Sequence, residues 1–85
     1  MAIDYSKLRN VTARDIVRAL KRDGFVLSRK IGSAHQKYRH PVDKRRVTVS
    51  YHGHGSRFPT GTLKTMVEQQ AKWTEEDLKR LGLLK

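Results

Sequence analysis

Cysteine is absent from the 85-residue chain. Disulfide frameworks, thiolate metal sites, iron–sulfur clusters and a thiol nucleophile are therefore excluded. No apolar run of signal-peptide length follows Met1, and nothing later approaches the roughly 20 apolar residues of a membrane span. The chain reads as cytoplasmic, with no membrane partner. Phosphate-cradling motifs are missing as well: Gly53-His54-Gly55 fits neither a P-loop nor a dinucleotide fingerprint, and no small-molecule cofactor is expected. Aromatic residues make up 7% of the sequence, too little for the stacking platforms of OB and RRM modules. With 36% apolar residues the chain supports one small domain and a modest core, without room for a large internal cavity.

Acidic residues are also scarce. Eight Asp plus Glu stand against 19 Lys plus Arg, a formal charge of +11. The excess is uneven: residues 1–60 hold 14 basic and 4 acidic side chains, and residues 61–85 hold 5 and 4. Counterion release from a phosphate backbone rewards such a field, so nucleic acid is the first partner to consider. An anionic membrane or an acidic protein comes next.

The hydrophobic spacing predicts an α+β domain in the order α-β-β-β-α-α. Thr12 is a good N-cap, with Asp15 at the third helical position, and Ala13, Ile16, Val17 and Leu20 recur at helical spacing until Gly24. The other face of that helix, Arg14, Arg18, Lys21 and Arg22, reads as a solvated surface. After Gly24 the period changes to that of strands over Phe25–Lys30, Ala34–His40 and Arg46–Tyr51, separated by turns at Ile31–Ser33 and Pro41–Arg45. A loop over His52–Gly61 leads to a helix from about Thr62 to Lys72. A last helix is capped by Thr74, with Trp73 and Leu78 as a hydrophobic staple, Glu75, Glu76 and Asp77 in its first turn, and Gly82 after its end. The expected architecture is a three-stranded antiparallel sheet with helices on one face and the other face open.

Strand alternation then sorts the second strand. Tyr38, its largest apolar body, should face the helices with Val47, Val49 and Tyr51, which sends His35, Lys37 and Arg39 outward. An imidazole between two cations on a rigid strand can sit beside a phosphate, accept a proton and balance developing negative charge. These are the needs of metal-free RNA cleavage, in which the ribose 2′-hydroxyl is the nucleophile. His35 is the candidate general base, and the alternative is a surface histidine that only contacts phosphate. Lys37 and Arg39 are candidates for phosphate contact. Lys30 is a candidate from the adjacent strand, and Gly32 and Ser33 shape the turn that presents His35. The proton donor to the leaving 5′-oxygen stays open among His35, a lysine and water. His52 and His54 flank Gly53 without an evident third ligand, so no metal is expected there, although His52 could border the open face. His40 reads most simply as a strand-end residue, and Trp73 is accounted for by the staple.

Taken together, Gly24-Phe25, Gly32-Ser33-Ala34-His35-Gln36-Lys37-Tyr38-Arg39-His40-Pro41, Val47-Thr48-Val49 and Gly61-Thr62-Leu63 resemble the HicA family of toxins from toxin–antitoxin systems. The resemblance spans roughly residues 12–81 and implies a single HicA-like domain across residues 1–85, with residues 1–11 as a lead segment. It implies a double-stranded-RNA-binding-domain-like fold and a ribosome-independent mRNA endoribonuclease. It also implies a HicB antitoxin that covers the active site. The family histidine lies just after the Gly-Ser turn, and His35 matches it. Ala34 intervenes here, read as a one-residue turn insertion that keeps the spacing from His35 to Tyr38. A lead of this length, carrying Ile3, Tyr5 and Leu8, exceeds the usual one and should pack on the domain edge or be disordered. A non-catalytic double-stranded-RNA-binding module is the alternative, but it would open its second helix with a lysine cluster where this chain has Thr62-Leu63-Lys64-Thr65. A helix-turn-helix DNA binder is disfavoured because a strand follows the first helix.

Overall fold

The structure is a computed structural model that describes residues 3–32, 35–50, 53 and 55–84. Helix α1 spans Ala13–Arg22 and opens with a reciprocal cap: the Asp15 N–H donates to the Thr12 hydroxyl, and the Thr12 N–H donates to the Asp15 carboxylate at 2.9 Å. Such a cap contributes about 1 kcal/mol. Ile16, Ala19 and Leu20 are buried on its inner face. The helix gives way at Gly24, whose φ of +100° suits glycine and whose missing side chain leaves room for the His40 ring. A Cβ there would lie 3.0 Å from His40 Nε2.

Three strands follow as an antiparallel meander: β1 over Val26–Ile31, β2 over His35–Arg39 and β3 over Arg46–Ser50, in the spatial order β1-β2-β3. β1 and β2 are slightly displaced from their expected bounds, and β3 starts at Arg46 as expected. Phe25 is buried ahead of β1 instead of within it, and Ile31 belongs to the strand instead of the turn. His40 has left β2 to join the turn, where Lys44 takes a left-handed φ of 64°. The expected strand residues Ala34 and Tyr51 lie outside the described residues, as do Ser33, His52 and His54.

Helix α2 begins at Thr60, two residues earlier than the spacing predicts, because Pro59 already has a φ of −55° compatible with helix entry. It is α-helical over Thr60–Lys64 and continues with wider π winding over Thr65–Gln70. It ends before Lys72, whose left-handed φ of 57° turns the chain so that the Trp73 N–H reaches the Val67 carbonyl. Helix α3, Glu75–Arg80, carries a second reciprocal cap between Thr74 and Asp77. Among the described residues, no helix is long and apolar enough to cross a membrane.

The core lies between the helices and one face of the sheet. Tyr38, Val47 and Val49 meet Ile16, Leu20, Leu63, Met66, Val67 and Leu78 there. The lead segment belongs to the same core: Tyr5–Leu8 forms a 3₁₀ turn that inserts Leu8, only 2% exposed, and the Tyr5 hydroxyl donates to Glu68.

One carboxylate joins the ends of these elements. Asp23, at the end of α1, accepts hydrogen bonds from Trp73 Nε1 at 2.9 Å, Arg45 at 3.0 Å and Arg80 at 2.8 Å, and its side chain is 9% exposed. Its carbonyl oxygen meets His40 Nε2 at 2.8 Å. Burial pushes the Asp23 carboxyl upward, but the hydrogen bonds from Trp73 and Arg80 and the charge of Arg45 outweigh it, leaving the group below its ordinary value of 3.8. A carboxyl depressed by folding stabilises the native state fully above that ordinary value. Its contribution is lost as pH falls through the lower folded value. Asp23→Asn is therefore expected to cost on the order of 2–3 kcal/mol of unfolding free energy at neutral pH. In urea titrations at a series of pH values the gap to the wild type should close below pH 3.8. A gap of constant size across that range would contradict this role.

Candidate active site

Register places the uncovered sheet face in three cross-strand rows. Ile31, His35 and Ser50 form one, Arg29, Lys37 and Thr48 the next, and Val26, Arg39 and Arg46 the last. Along β2 the exposed His35, Lys37 and Arg39 alternate with half-buried Gln36 and buried Tyr38, so all three project from the open side. Same-face neighbours along a strand are about 7 Å apart, and direct cross-strand neighbours about 5 Å. Arg29, Lys37, Arg39, Arg46 and Thr48 thereby line a shallow groove of about 310 Å³.

Lys30 does not join them. Phe25 and Leu27 set a parity that, in a regular strand, would point Lys30 outward opposite His35. A β-bulge between Leu27 and Arg29 inserts Ser28 and reverses that parity for the rest of the strand. Lys30 pairs with Gln36 on the helix side, and Arg29 takes the outward place opposite Lys37. Gly32 adopts a left-handed φ of 63° with nothing within 4 Å of a hypothetical Cβ, so its contribution to the turn is conformational freedom. The candidate Ser33 is outside the described residues, as are His52 and His54, whose metal reading falls there too.

His40 is more than a strand-end residue. Its Nε2 meets the Asp23 carbonyl, its Nδ1 faces the N–H groups of Val42 and Asp43, and its ring packs edge-on to Phe25 at 5.1 Å. These contacts commit it to holding the β2–β3 turn, leaving His35 as the described histidine on the open face.

The electrostatics of that face are one-sided. Arg39 stands directly opposite Arg46, and Arg29 opposite Lys37. Among the described residues none of the four forms an ion pair with an acid. Like charges directly across a sheet destabilise it, so the arrangement carries a folding cost that a polyanion would relieve. Neither Arg46 nor Arg29 is among the sequence candidates: alternation with the inward Val47 and Val49 carries the signal for Arg46, whereas the place of Arg29 depends on the bulge. Replacing Arg46 by Thr is expected to raise the unfolding free energy by about 0.2–1 kcal/mol by removing one like-charge pair. Denaturant unfolding checks this, and a clear loss of stability would mean that the two guanidinium groups do not oppose each other.

Comparison with known protein families gives a match. A family model described as HicA toxin of bacterial toxin-antitoxin matches residues 13–73, from the first turn of α1 to Trp73, which takes in the whole sheet and both helices that cover it. No curated protein and no solved structure matches the chain.

Proposed function

Because the chain belongs to the HicA toxin family of bacterial toxin–antitoxin systems, we propose that it is a ribosome-independent mRNA endoribonuclease with its active site on the open sheet face. It works in the cytoplasm as a single domain and is neutralised by a HicB-type antitoxin. The observation that carries this reading is an exposed imidazole among four cations, Arg29, Lys37, Arg39 and Arg46, which have no acidic partner among the described residues.

In the proposed reaction His35 takes the proton from a ribose 2′-hydroxyl. The freed oxygen attacks the adjacent phosphorus, the bond from phosphorus to the 5′-oxygen breaks, and the products are a 2′,3′-cyclic phosphate and a 5′-hydroxyl. The departing oxygen regains a proton from the imidazolium that His35 has become, from Lys37 or from water. Lys37 and Arg39 offset the charge that develops on the phosphoryl oxygens, with Gly32 and Ser33 shaping the turn before His35. This chemistry needs no metal and no cofactor. An antitoxin that covers this face with acidic groups would block the reaction and relieve the repulsion among the cations.

His35→Ala is expected to keep the fold, since the side chain is exposed, and to lose about 100- to 10,000-fold in cleavage rate on purified RNA. Wild-type cutting by that variant, free of contaminating nuclease, would overturn the assignment. Its expression should also fail to arrest growth of a bacterial host that the wild type arrests. Lys37→Ala should weaken RNA binding more at low than at high salt, lowering the slope of log affinity against log salt by about 0.7. An effect independent of salt would remove Lys37 from the phosphate contacts.

A further inference from the structure

Lys30, turned away from the open face by the bulge, enters a second basic groove. Arg14, Arg18 and Lys21 follow one another at intervals of four and three residues on one side of α1 and face β1 across this groove. It has a volume of about 530 Å³ and includes Val17 and Leu27 among its lining. Its floor includes Tyr38 and Gln36, which are hydrogen-bonded to each other. Among the described residues none of the four cations pairs with an acid, and no acidic side chain lines the groove.

What separates this groove from the open face is a single strand. β1 is the edge of the sheet, and all six of its residues are exposed. They include three of the four large exposed apolar side chains among the described residues, Val26, Leu27 and Ile31, at 46%, 43% and 42%. The opposite edge is treated differently: on β3 the Thr48 N–H is satisfied by the Gln70 side chain at 3.0 Å. A free strand edge offers N–H groups to anions. On β1 those groups lie between Arg29, pointing to one side, and Lys30, pointing to the other.

We infer that a single-stranded segment flanking the cleaved phosphodiester leaves the open face over the β1 edge and is held by its phosphates in the groove between β1 and α1. The inference rests on the proposed function and extends it to the path of the RNA. A duplex cannot follow that path: double helices are stiff over about 50 nm, whereas the whole molecule measures 33 × 28 × 19 Å. A single strand bends freely, and the exposed Leu27 and Val26 offer its bases an apolar surface on the way.

The test uses Arg18→Ala with Lys21→Ala, both exposed on α1 and replaced by a strong helix former. Binding is measured in the His35→Ala background, so that the RNA stays intact. The probes are a labelled single strand of about 20 nucleotides, one of about six, and a duplex of the longer sequence. The double variant should bind the long strand about tenfold more weakly at low salt, with a salt slope reduced by about 1.4 for two lost contacts. Binding of the short strand should be unchanged, and so should the thermal midpoint. Unchanged binding of the long strand overturns the inference, including the case in which only capture of an acidic protein suffers. An equal loss on both strands, or an equal loss on the duplex, also overturns it. The probes carry a 2′-O-methyl group in place of each ribose 2′-hydroxyl, the proposed nucleophile, so if His35→Ala proved to cleave ordinary RNA like the wild type, the nuclease reading would fail while these binding outcomes kept their meaning.

Discussion

The fold is tied together at the carboxylate of Asp23. Trp73, Arg45 and Arg80 reach it from the α2–α3 junction, the β2–β3 turn and α3, and its own residue closes α1. These elements are far apart in sequence, and the apolar core that they enclose is small. Apolar contacts are indifferent to direction, so they do not by themselves set how a helix end meets a turn. A carboxylate with two oxygens and three donors does set it. Arg45 extends the junction by lying over the Phe25 ring at 4.9 Å and donating to the Ala71 carbonyl. The orientation of β2 and β3 against the helices, and with it the identity of the open face, follows from this junction as well as from the burial of Tyr38, Val47 and Val49.

That arrangement divides the cations of the chain into two kinds. Arg45 and Arg80 are engaged by acids and stabilise the fold. Arg29, Lys37, Arg39 and Arg46 on the open face, with Arg14, Arg18, Lys21 and Lys30 in the groove, are not, and they repel one another. A charge of +11 on 85 residues says that a polyanion is welcome; only the sorting says where. Counting basic residues in the sequence cannot make this distinction, because Arg45 and Arg46 are adjacent and play opposite parts.

Much of this was readable beforehand, for reasons that differ between elements. The capped helices were legible because a Thr with an Asp three residues later is a local signal that needs no tertiary partner. β2 and β3 were legible because alternation is strict there and Tyr38, Val47 and Val49 leave no doubt about the inner face; the outward parity of His35, Lys37 and Arg39 came with them. The site's other side was not legible. Ser28 gives no warning of a bulge, and one inserted residue exchanges Arg29 and Lys30 between the two faces. The Asp23 junction was equally invisible, since its donors lie 22, 50 and 57 residues away. The early start of α2 and its π winding were not legible, because Pro59 lies in a Gly-containing stretch that predicts a loop and the apolar spacing resembles that of an ordinary helix.

The bulge also bears on why β1 can be left uncovered. A long, flat, apolar edge strand invites pairing with another chain, and proteins commonly blunt such edges with lysine, charge or a bulge. β1 has all three, and a two-fold copy pairing along it would bring Arg29 and Lys30 of each chain close to their counterparts. The features that discourage self-association there are the same ones that accept phosphate: protruding cations on both sides and unpaired N–H groups between them. Protection against aggregation and affinity for a flexible polyanion are therefore one physical property of this edge. An acidic side chain at position 29 or 30 would protect the edge equally well while removing the attraction, so solubility alone does not explain why both positions are basic.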